Sequence, residues 1–131
     1  MYTHEGHDMG DAWYFVDDMT NTVHMFYLAD PLDGGRDFAG HAISKDLVNW
    51  ERLPPAIETG PTGAWDDLRI CTGSTIEWHG RYWTAYSATS LNDSSWEELH
   101  RVQRIGMAVS DDLVNWIKLP ENPVSEPGPP H

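Results

Sequence analysis

Apolar and polar residues alternate along several stretches of this chain in the two-residue rhythm of β-strands. AWYFVDD (12–18), a polar turn MTNT (19–22) and VHMFYLAD (23–30) read as one hairpin rich in aromatic and β-branched residues. GSTIEW (73–78), the turn His79-Gly80 and RYWTAYSAT (81–89) read as another. No stretch sustains a helical period. The pattern predicts an all-β chain.

A repeat then sets the organisation. Residues 40–54 read GHAISKDLVNWERLP and residues 106–120 read GMAVSDDLVNWIKLP, with ten of the fifteen positions identical at an offset of 66. Average residue usage would give about one match. Each copy follows a predicted hairpin and leads into a Pro/Gly loop, PPAIETGP at 54–61 and PENPVSEPGP at 120–129. Each unit is therefore four strands in series, blade one at about 11–58 and blade two at about 71–124. Tandem four-stranded antiparallel units with one Trp-bearing signature apiece predict β-propeller blades. Two repeats of sandwich or jelly-roll hairpins remain the alternative. Ser44-Lys45-Asp46 and Ser110-Asp111-Asp112 fit tight turns capped by their own side chains, and Trp50 and Trp116 are expected to pack between blades.

Length changes meaning under this repeat. The 131 residues suit one ordinary domain, but two blades are only part of an architecture built from four or more. The expectation is one partial propeller domain over 1–131, completed by further blades of a longer chain or by other copies of itself.

Charge and composition exclude several classes. Eight Lys and Arg against 21 Asp and Glu give a net charge of −13, which repels a nucleic-acid backbone. Hydrophobic residues at 40%, with seven Trp, are too many for a disordered acidic tail. No apolar run is long enough for a membrane span and the start lacks a signal-like pattern, so neither membrane nor export is expected. The single Cys71 forbids an intrachain disulfide, and a cytoplasmic location is the expectation. Cys71 reads as a small buried side chain. His4 and His7 of THEGHD, with Asp8 beside them, have a short spacing that reads as a flexible terminus rather than a metal site. His41 reads as a packed or hydrogen-bonded strand residue, since its repeat partner is Met107. No cofactor or metal is called for.

Propeller topology sorts the loops by face. The face where each innermost strand begins collects Asp11, Asp30, the loop 31–37, the connection 59–69 with Trp65, Asp66 and Asp67, Thr72, and the loop 90–101 with Trp96; Arg36 and Arg69 are its cations. The opposite face carries only small turns. Carboxylates accept hydrogen bonds from sugar hydroxyls, indoles stack on sugar C–H faces, and glycosidic cleavage needs two carboxyl groups in different roles. Acidic loops also simply solvate a surface. For Asp66 and Asp67, substrate binding and loop capping stand level.

GHAISKDLVNWERLPPAI (40–57), CTGSTIEWHGRYWTAYSAT (71–89) and RIGMAVSDDLVNWIKLPENPV (104–124) resemble segments of the invertase-like, β-fructosidase glycoside hydrolases of family 32 and, less closely, the arabinanases and xylosidases of family 43. The likeness covers nearly the whole chain. It implies a five-bladed propeller of which these are the N-terminal two blades, and a glycosidase acting on furanosides or related oligosaccharides at the mouth of the axial channel. It implies Asp11 as the catalytic nucleophile or base, with Asp8 a rival. Trp65, Asp66, Asp67, Thr72 and Phe38, at or beside the face where the inner strands begin, are the expected substrate-binding residues. The family's Asn-Asp-Pro-Asn reads Met9-Gly10-Asp11-Ala12 here, its Trp before Gly-His-Ala is Ala39 beside Phe38, and the aromatic of its Phe-Ser-Gly is Cys71. No residue of 1–131 matches the family's general acid or its transition-state-stabilising Asp. The alternative is a non-catalytic carbohydrate-binding or self-assembling propeller unit.

Overall fold

The structure, a computed structural model, describes residues 1–93 and 102–128. Eight strands form two four-stranded antiparallel sheets. The first runs β1 (His7–Asp17), β2 (Thr22–Pro31), β3 (Phe38–Ser44) and β4 (Glu51–Glu58) in sequence order. The second runs β5 (Arg69–Trp78), β6 (Arg81–Thr89), β7 (Arg104–Ser110) and β8 (Ile117–Lys118). Both are propeller blades, side by side. The two inner strands begin earlier than their apolar alternation suggests, at His7 and Arg69. A bulge explains this in each: register shifts between Gly10 and Trp13 in β1 and between Ile70 and Gly73 in β5, and the extra residue breaks the period.

Local chemistry sets the turns. His79 and Gly80 both have positive φ, as a two-residue hairpin turn matched to strand twist requires. The repeated Ser-x-Asp-Leu-Val-Asn segments fold identically. Ser44 Oγ accepts from the Leu47 amide at 2.8 Å, while Asp46 Oδ1 accepts from the amides of Val48 and Asn49 at 2.9 and 2.7 Å. Ser110 and Asp112 repeat those bonds at 2.9, 2.9 and 2.8 Å. The amide of Asn49 foremost, and its side chain, hold the Asp46 carboxyl well below the usual carboxylate range.

The main core is the seam between the blades. Trp13, Phe26, Ala39 and Ile57 of the first meet Ile70, Tyr86, Ala88 and Ala108 of the second. Trp13 stacks on Phe26 with ring centroids 5.5 Å apart, and Trp116 meets Phe26 edge-on at 5.9 Å, so the second repeat's Trp packs across the seam. Each fully buried side chain of this size contributes roughly 1.5–3 kcal/mol. Trp13 Nε1 donates to Thr75 Oγ1 at 3.1 Å, a hydrogen bond between the two innermost strands. His24 and His41 also lie buried in the first blade, with His24 Nδ1 2.8 Å from His41 Nε2 and His41 stacked 4.4 Å from Phe26.

A second, smaller core covers the far face of the first blade, where Met25, Tyr27, Ala29 and Ala42 lie beneath Tyr2, Phe38 and Trp50. Here the N-terminal segment is tied down, against the expectation of a flexible terminus. The Tyr27 hydroxyl lies 2.6 Å from Tyr2 Oη and 2.9 Å from His4 Nδ1, and Arg52 donates to Tyr2 Oη and to the Thr3 carbonyl, both at 2.9 Å. Among the described residues no helix is long and apolar enough to cross a membrane.

Candidate active site

The two innermost strands start at the same end of the blade pair, and their bulges sit at the same height. Asp11 lies within the first bulge, exposed, with φ of 44°. Thr72 lies within the second, also exposed, its amide donating to Ser87 Oγ at 3.3 Å. A bulge re-aims the side chain it carries. Asp11 thus leaves the alternation that sends Trp13 into the seam.

Charged groups gather around this end. Asp8 stands directly opposite Asp30 in the β1–β2 register, a like-charge pairing that weakens a sheet. Asp30 Oδ2 lies 3.9 Å from Arg69 Nη2, and Arg69 Nε donates to Asp37 Oδ2 at 2.8 Å. Asp37 is 6% exposed. Burial, together with the neighbouring Asp30 carboxyl, pushes it up to about 6 in spite of Arg69. Cys71 lies within electrostatic reach of Arg69, Asp11 and Asp37, and burial pushes its thiol up, which leaves it a poor nucleophile. Arg36 closes one lip, its guanidinium donating to the Gly60 carbonyl at 2.6 Å and to Thr62 Oγ1 at 2.8 Å.

The structure brings Asp11 and Thr72 to this end and places the other expected substrate-binding residues elsewhere. The connection between blades must travel from the outermost strand β4 to the innermost β5, and only its last residues reach the mouth. Trp65, at its outer part, packs on the seam core with its ring 5.5 Å from Tyr86. Asp66 is 2% exposed, accepting from Lys118 Nζ at 2.7 Å and from the Tyr86 hydroxyl at 3.3 Å. Asp67 is buried and accepts from the amides of Gly63 and Leu91, both at 2.8 Å. Burial raises its carboxyl, but those amides outweigh it and hold it below the ordinary value. For both aspartates the geometry favours loop closure over an open mouth. Phe38 packs against His4 and His7, at 5.7 and 5.3 Å, within the small core on the face turned away from the second blade. Trp96 lies outside the described residues.

Asp37 is the residue that sequence reasoning missed. Its signal was indirect: an acid directly before the apolar strand FAGHAIS, where burial is the default. Among the described residues no group of three or more His, Cys, Asp or Glu is arranged to hold a metal ion.

Asp11 is thus exposed on an innermost strand, and the family model for the glycosyl hydrolases family 32 N-terminal domain matches residues 11–131. The chain belongs to glycosyl hydrolase family 32. Of the two families the sequence resembles, this is the one the match supports. The family 32 chain is 35% identical over 111 residues to the cell wall isozyme of β-fructofuranosidase from Pisum sativum, covering 79% of this chain and 18% of that protein. It is 35% identical over 112 residues to sucrose:sucrose 1-fructosyltransferase of Festuca arundinacea, covering 81% and 16%. Among solved structures, fructan 1-exohydrolase IIa from Cichorium intybus in complex with 1-kestose superposes with a TM-score of 0.77 at 25% identity, covering 98% of this chain and 24% of that one. The family 32 chain thus spans less than a fifth of these curated relatives and about a quarter of the solved structure.

Proposed function

We propose that these two blades form the Asp-bearing part of the sugar site of a fructosyl-acting glycosidase, with Asp11 as the carboxylate that attacks the anomeric carbon or activates water. The observation that carries the reading is the exposed Asp11, carried by a bulge on the innermost strand of a family 32 chain and within electrostatic reach of Cys71 in the bulge of the next inner strand. The relatives support the substrate class: one is named a β-fructofuranosidase, another a sucrose:sucrose 1-fructosyltransferase, and the similar solved structure is a complex with 1-kestose.

Glycosidic cleavage needs a second carboxyl to protonate the leaving oxygen. Asp37 holds its proton more tightly than an ordinary acid but is buried and committed to Arg69, so the reading assigns the acid to a group beyond these two blades. Asp8 is the second reading for the nucleophile, favoured by its place opposite Asp30 at the strand's very start.

The test is release of fructose from sucrose and 1-kestose by the protein that carries these blades. Asp11→Asn should lower turnover on the order of 10^2–10^4-fold while sugar binding survives. Turnover unchanged by Asp11→Asn and lost in Asp8→Asn would move the role to Asp8. Turnover unchanged by both would refute the reading.

A further inference from the structure

Arg69 is the first residue of β5, and its guanidinium reaches across the start of the seam to the first blade. Its Nε edge is committed to Asp37 at 2.8 Å. The 3.9 Å approach of Nη2 to Asp30 is an ion pair too long for a hydrogen bond. Among the described residues the donors of its outer edge therefore make no hydrogen bond within the chain, and the side chain is 39% exposed. A fixed planar fork with its outer donors open suits two adjacent oxygen acceptors. Two neighbouring hydroxyls of a sugar present such a pair. Asp11 and the other carboxylates of the mouth can only accept hydrogen bonds from a sugar; Arg69 supplies the complementary donors.

We propose that Arg69 is a sugar-binding residue of the mouth, donating its outer edge to two adjacent hydroxyls of a fructosyl substrate, and that Asp37 is the residue that positions it. The inference rests on the reading of the Asp11 end as a fructosyl site and adds to it a donor on the second blade. Asp37 acts through the Nε bond. The charged and titratable groups that act on it are Asp30 from β2 and Arg69 from β5, with Cys71 of β5 within electrostatic reach of both Asp37 and Asp11 of β1. Asp37 titrates at about 6, so a proton gained below that pH removes the anion that anchors Arg69. Sugar affinity should fall as pH drops through this value.

Titration calorimetry with sucrose and 1-kestose tests this on the protein carrying these blades. Arg69→Lys keeps the charge and loses the fork; it should weaken binding about tenfold or more. Asp37→Asn should weaken binding less and flatten its dependence on pH between 5 and 7. Arg81→Gln, in the exposed ion pair with Asp111 at the far end of the blade, should bind as the parent does. Arg69→Lys binding with parental affinity overturns the assignment of Arg69, and an Asp37→Asn protein that keeps the parental pH slope overturns the positioning role. Should Asp11→Asn change turnover as expected while Arg69→Lys binds normally, only this inference fails. Absence of sugar binding by the parent removes both.

Discussion

Replacing His41 by Met should make the blade pair measurably less sensitive to acid. His41 is fully buried, stacked on Phe26 and hydrogen-bonded through Nε2 to His24, and its Nδ1 has no partner. Burial, reinforced by the neighbouring His24, depresses its proton affinity from the ordinary 6.5 to about 3. The unfolded chain therefore binds a proton across that window and the folded chain does not. Stability is complete above pH 6.5 and is lost as pH falls towards 3. Linkage gives a loss of about 2 kcal/mol between pH 7 and pH 5, approaching about 5 kcal/mol at the acid end. Met is the natural replacement, because Met107 holds the corresponding place in the second blade. His24 is depressed by burial as well, against a raising influence from Asp17, but it remains in both proteins. Urea unfolding at pH 7 and pH 5 measures the difference: the parent should lose about 2 kcal/mol more than His41→Met across that interval. Equal losses, within about 0.5 kcal/mol, would refute the claim that the buried His41 imidazole stays neutral in the folded blade.

Two further substitutions probe the packing of the second blade. A Cβ built on Gly106 would lie 2.5 Å from Trp65 Cζ2 and 3.1 Å from Asn122 Cγ. Gly106→Ala should therefore lower stability by about 1–3 kcal/mol in thermal unfolding, whereas Gly10→Ala meets nothing within 4 Å. Lys118→Met leaves the buried Asp66 carboxylate without its cation. Because Lys118 is about a third exposed, the cost should be about 1–3 kcal/mol, below that of a wholly buried pair.

Much of this architecture is readable in the chain because propeller packing repeats its chemistry. Ser44, Asp46 and Asn49 need the same neighbours in sequence as Ser110, Asp112 and Asn115, so their likeness survives as letters. The site is less readable because it is assembled across strands. The placement of Asp11 and Thr72 at one end of the inner strands was legible because each sits beside a recognisable hairpin. The packed positions of Trp65 and Asp66 were not legible, because a face assignment says which end of a blade a loop occupies but not how far it stands from the axis. Asp66 spends its charge on Lys118, a contact between residues 52 apart that no local pattern encodes. The place of Phe38 was hidden for a different reason: adjacent strand residues point to opposite faces, and Ala39, next to it, is the one that enters the seam. Asp37 went unnoticed because its partners, Asp30 and Arg69, come from two other strands.

The paired bulges divide each innermost strand into two lengths with independent phase. Along the longer length, side-chain direction is dictated by the seam, and a change at Trp13 or Thr75 is felt by the neighbouring blade. Beyond the extra residue the count restarts, so residues 8–11 can be exchanged for others without turning an apolar side chain outward farther along. Deleting one residue between Gly10 and Trp13 would remove that freedom: Gly10 would still face Leu28 and Trp13 would still face Phe26, the ladder would run unbroken, and no residue would be turned out of it. The bulge uncouples what this strand offers to a ligand from what it must do to stay folded.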